Sequence, residues 1–190
     1  MNTVTLQRAG ALCSLALLAL PAAAHPQASA ALTSTAGFGA GFAHPFSGLD
    51  HLLAMLAVGI CSARQANAKA QPLTFLLAMA LGALTGVAGL TIPGLEIGIA
   101  ATVALLGLAI AIAAPLPAWF GMGMVAVFAL LHGNAHGHEL PQLPAAAGFL
   151  IASALLLAAG RLLGLRLAPH LLRMAGASIA ATGLVLIGMN

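Results

Sequence analysis

Residues 94–114 read GLEIGIAATVALLGLAIAIAA, 21 positions in which Glu96 is the one ionisable side chain. A helix of about 20 apolar residues crosses the ~30 Å hydrocarbon layer of a bilayer, so the length and composition of this stretch predict a transmembrane span. Working outward, apolar windows bounded by proline, glycine or polar residues predict five more spans, at approximately 46–62, 73–92, 116–133, 143–160 and 171–189. Apolar sequence also continues upstream of the first span, from Leu32 to Ala43. A break is expected there near Pro45, because proline lacks the helical N–H and crowds the preceding turn. The rest of the chain has the same character: 62% of its 190 residues are hydrophobic and 5% are charged, with a mean hydropathy of +1.09. A soluble domain carries roughly a quarter charged residues, so the solvent for this surface is lipid. The expected fold is all-α: one polytopic membrane bundle of six helices over residues 25–190, with no room for a separate soluble domain.

Residues 1–24 have another organisation. Arg8 is followed by an apolar run from Ala9 to Leu20, then Pro21 and Ala22-Ala23-Ala24, the three-part form of a cleaved secretory signal peptide. An uncleaved first helix is the competing reading. A lipoprotein signal at Cys13 fits poorly, since the apolar region follows that cysteine. Cleavage would start the mature chain at His25-Pro26, in a bacterial periplasm, where amine and imidazole together can capture a metal or simply remain disordered. With residue 25 outside, Arg64, Lys69, Arg161, Arg166 and Arg173 all fall at the cytoplasmic face, as the positive-inside rule requires. Localisation in the bacterial inner membrane follows. These scattered cations form no patch, which argues against a nucleic-acid partner. Cys61 stands alone in the mature chain, so no disulfide framework exists. Glycine recurs four residues apart, as at Gly82 and Gly86 or Gly133 and Gly137. Such faces allow close helix packing, within one subunit or in a homo-oligomer.

The chain has three carboxylates, Asp50, Glu96 and Glu139, and all three map to the outer half of the predicted bundle. A charge at bilayer depth costs at least about 2.5 kcal/mol, which makes an ionisable residue there a functional candidate. Histidines gather at the same depth in two strings, HPFSGLDHLLAM from His44 and HGNAHGHE from His132. On a continuous helix His44, His51 and Met55 share a stripe with Asp50 beside it, and His132, His136 and Glu139 share a face. His138 lies next to that face. For any single histidine the plainer reading is a hydrogen bond to a neighbouring helix; His170, at a loop edge beside Pro169, is read as solvated and Met55 as packing. Imidazoles with carboxylates suit a borderline divalent ion such as Ni²⁺, Co²⁺, Zn²⁺ or Cu²⁺, and the lack of thiolates argues against Cu⁺ and against a structural zinc. The candidate metal ligands are therefore His25, His44, Asp50, His51, Glu96, His132, His136, His138 and Glu139.

The string from His44 to His51, followed by Met55, resembles the signature of the HupE/UreJ family of nickel and cobalt permeases, and the string from His132 to Glu139 is similar to that family's second motif. The resemblance covers essentially the whole chain. It implies secondary uptake of Ni²⁺, or of Co²⁺, for metalloenzymes such as hydrogenase or urease, with no prosthetic group and with the ion as cargo. It also implies functional roles for His44, Asp50, His51 and Glu139, with Glu96 at a further carboxylate position. No Walker A string is present, so the chain carries no ATPase of its own. Membrane potential or proton exchange would drive transport. Two other classes compete: a metal-dependent intramembrane hydrolase, although HGHE lacks the HExxH spacing and Ser47 lacks a GxSxG setting, and a metal sensor or accessory subunit that transports nothing.

Overall fold

The computed structural model describes residues 34–64, 70–113, 116–140 and 142–190. Among them every regular element is helical: α1 (Ser34–Ser47), α2 (Leu49–Ser62), α3 (Ala70–Val87), α4 (Leu95–Ala111), α5 (Ala118–Glu139), α6 (Leu143–Arg166) and α7 (Pro169–Met189). The predicted leader and His25 lie outside the described residues. Four helices, α3, α5, α6 and α7, are long and apolar enough to cross a membrane, and α1 with α2 makes a fifth candidate as a bent pair. The opening stretch forms α4, apolar but 17 residues long, about 25 Å at 1.5 Å per residue.

The first predicted span is broken, at a different residue from the one expected. Pro45 sits inside α1, and the interruption comes at Gly48, whose extended backbone (φ −98°, ψ 120°) turns the chain by 78°. Pro45 has no N–H to give the carbonyl of Gly41, four residues back, yet the helix runs two residues further before it ends. The Ser47 hydroxyl, donating to the His44 carbonyl oxygen at 2.7 Å, helps close the helix end. Both halves follow α6 in the same sense: Gly37 meets Gln142 and Pro144 while Gly148 meets Phe38 and Phe42, and further along Gly160 meets Leu56 and Gly164 meets Ile60. A second difference concerns α5, which continues beyond residue 133 and carries the polar string HGNAHGHE to its last residue, Glu139. Neighbouring helices bury that string, so its polarity does not end the helix.

Glycine sets the pairing. Gly82, Gly86, Gly133 and Gly137 interlock α3 with α5; Gly107, Gly176 and Gly183 do the same for α4 with α7, and Gly59, Gly160 and Gly164 for α2 with α6. A Cβ on Gly133 would stand 2.0 Å from the Met79 carbonyl oxygen, so the backbones touch where side chains would otherwise intervene. Each pair packs far more extensively within itself than against the others. Consecutive α4 and α5 touch lightly and leave an apolar groove lined by residues including Leu105, Ile112, Trp119 and Val127. The outer faces suit lipid: Leu73, Leu77, Leu81 and Leu84 form an exposed stripe on α3, while Phe75 and Met79 are buried. Buried hydroxyls bond to carbonyls of their own helices, Ser153 to Phe149 and Thr182 to Ser178, as an apolar surround requires.

Candidate metal centre

The break at Gly48 places two polar helix ends together. Asp50 and His51 open α2, and the Asp50 carboxylate accepts the His51 backbone N–H at 2.9 Å, in the helical turn where the macrodipole favours negative charge. A Cβ at position 48 would lie 2.8 Å from Asp50 Oδ1 and 2.9 Å from His51 Cδ2, so a larger residue there would displace these two side chains. His44, in the last turn of α1, comes to the same place from the other side of the bend, its ring centroid 5.8 Å from that of His51. The last turn of α5 supplies His136 and Glu139. His136 is 4.1 Å from the His51 ring and 4.9 Å from the His44 ring.

His44, His51, His136 and Glu139 each offer one ligand atom, and the four atoms lie within 4.8 Å of one another. Glu139 Oε2 is 3.0 Å from His44 Nε2 and 3.3 Å from His136 Nδ1. Around one ion at bond lengths of about 2.1 Å, neighbouring ligands stand about 3.0 Å apart at right angles and about 3.4 Å apart in a tetrahedron. The two short separations already match those edges, and the other ligand atoms, within 4.8 Å of one another, would have to close by up to about 1.4 Å to reach a tetrahedral edge. Phe149 of α6 closes one side, its ring centroid 3.8 Å from that of His136. His51 and His136 are buried, while His44 and Glu139 retain some exposure, so the group is reachable from one end of the bundle.

The other candidates take different places. Asp50 Oδ1 lies 3.8 Å from His51 Nε2, beside the group. His132 is fully buried behind His51, its Nδ1 3.0 Å from His51 Nδ1 and its Nε2 2.9 Å from the Thr102 hydroxyl. His138 is exposed and hydrogen-bonds the Leu90 carbonyl oxygen, a bond that Asn134 also makes. Glu96 stands in the first turn of α4, a few residues past the loop held by these bonds, outside the four-residue group. The continuous stripe expected for His44, His51 and Met55 does not form, because the helix is interrupted between the two histidines; the bend brings their rings together instead, and Met55 is core. Thr102 and Phe149 were not singled out in the sequence. Thr102 carried a signal, as the one polar side chain besides Glu96 in the opening stretch. Phe149 carried none.

Apolar helices around a buried imidazole and carboxylate group define a multi-pass membrane protein with a ligand set suited to a divalent cation. The family model described as "HupE / UreJ protein" matches residues 13–186. A relative named "Protein HupE", from Rhizobium leguminosarum bv. viciae, is 39% identical over 188 residues, covering 92% of this chain and 95% of the relative. The chain belongs to the HupE/UreJ family. No solved structure matches it.

Proposed function

We propose that this protein carries a divalent transition-metal ion, Ni²⁺ by preference and Co²⁺ next, across the bacterial inner membrane into the cytoplasm. The reading rests on one observation above all: α1 and α2, both packed on α6, and α5, packed on α3, meet at four ligand atoms within 4.8 Å. The choice of nickel rests on the family resemblance, and the ligand chemistry agrees with it, since imidazole and carboxylate hold such ions without the permanence of thiolates. In this reading residues 1–24 are a cleaved leader, α1 with α2 and the five further helices make six spans, and the metal group faces the periplasm. Glu96, His138 and His25 belong to the entrance, and Asp50 adds negative charge beside the ligands.

A route inward follows from the packing. The α3–α5 pair carries His136 and Glu139, while His44 and His51 belong to the α1, α2 and α6 group. A shift of one rigid unit against the other would pull the ligands apart and release the ion, so binding and release are two positions of one seam. Uptake of ⁶³Ni by cells tests the function. Asp50→Asn and His51→Ala, expressed at wild-type levels, are expected to reduce uptake to that of cells lacking the protein; wild-type uptake in both would exclude the permease.

A further inference from the structure

We infer that Thr102 and His132 are positioning residues that fix the tautomer of His51, so that His51 presents a bare Nε2 to the ion. The inference rests on the metal reading above for its purpose, and on hydrogen-bond polarity for its content. The Thr102 hydroxyl lies 2.7 Å from the Ile99 carbonyl oxygen and 2.9 Å from His132 Nε2. A carbonyl only accepts, so the single hydroxyl proton goes to Ile99, and the hydroxyl offers His132 a lone pair. His132 therefore carries its proton on Nε2. A neutral His132 then has a bare Nδ1, which faces His51 Nδ1 at 3.0 Å. Two bare nitrogens would repel, so the His51 proton sits on Nδ1 and its Nε2 is left with a lone pair.

The chain Ile99, Thr102, His132, His51 runs through α4, α5 and α2. Its three side chains are at most 2% exposed, leaving no bulk water to substitute for a lost link. Outer partners of this kind choose which nitrogen of a ligating histidine is bare and orient its ring. They also give His132 a role that differs from the ligand role expected of it, with both ring nitrogens engaged behind the site. Because the links join three separately packed helix pairs, the ligand is prepared only where those pairs meet.

Imidazole ¹⁵N NMR of the full-length protein in lipid nanodiscs, free of metal, reads the tautomers directly, with the His51 signals assigned through His51→Gln. The wild type is expected to show His51 protonated at Nδ1 and His132 protonated at Nε2. Thr102→Val, which keeps the shape and removes the hydroxyl, is expected to lose that His51 signature and to bind Ni²⁺ about 10- to 100-fold more weakly, and Thr102→Ser to restore both. Wild-type His51 protonated at Nε2 would overturn the inference, a result that needs no Thr102 variant to fold. So would a Thr102→Val protein with wild-type tautomers and affinity. If the wild type binds no Ni²⁺, the transport reading fails, and the relay still stands or falls on the metal-free spectrum.

Discussion

At the scale of single residues the two histidines that flank Gly137 behave differently, although they are neighbours in one string. His136 is buried against His44, His51 and Glu139, whereas His138 is exposed and bonded to the Leu90 carbonyl oxygen. His136→Ala or Glu139→Gln is expected to lower Ni²⁺ affinity by about 100-fold, the upper end of what even an outer partner costs. His138→Ala should stay near the wild type, and isothermal titration of the purified protein separates the outcomes. The polar strings were legible because ionisable residues are so rare in this chain that each one stands out. The division of labour among them was not. Spacing on a helix puts His132 and His136 on one face with equal standing, and only the neighbours from α2 and α4 show that His132 is held from behind by Thr102 while His136 faces Glu139.

At the scale of elements, the helices were legible from apolar length, and their ends less so. A polar run such as residues 132–139 reads as the end of a span when lipid is assumed to surround it, but α5 continues through it because α3 covers Gly133 and Gly137. Pro45 is the stronger breaker by its own chemistry, yet the chain turns at Gly48, where a larger side chain would press on Asp50 and His51. Pairing of helices was not readable, since glycine spacing shows that a face is flat without saying what lies on it. The structure turns that into a contrast within α5. Gly133→Ala would set a Cβ 2.0 Å from the Met79 carbonyl oxygen, and is expected to cost about 1–3 kcal/mol in thermal unfolding in detergent. Gly123→Ala meets nothing within 4 Å and is expected to be neutral, or to stabilise the helix by up to about 1 kcal/mol.

At the scale of the whole molecule, charge is divided between two ends. Arg161 donates to the Ser62 carbonyl oxygen at 3.1 Å where α2 and α6 finish together, with Arg64 and Arg166 nearby, while the metal group occupies the end where α2 begins and α5 stops. With the arginines inside, a membrane-impermeant thiol reagent applied to intact spheroplasts of a Cys61→Ser background is expected to label Gln142→Cys and spare Arg166→Cys; the opposite pattern would invert the proposed topology. The central claim is that His44, His51, His136 and Glu139 take hold of the ion together, and nickel K-edge X-ray absorption on the loaded, purified protein tests it most directly. The predicted spectrum shows a first shell of nitrogen and oxygen only, with the multiple scattering of about three imidazoles, which weakens in His136→Ala. A first shell with sulfur, or one without imidazole scattering, would contradict it.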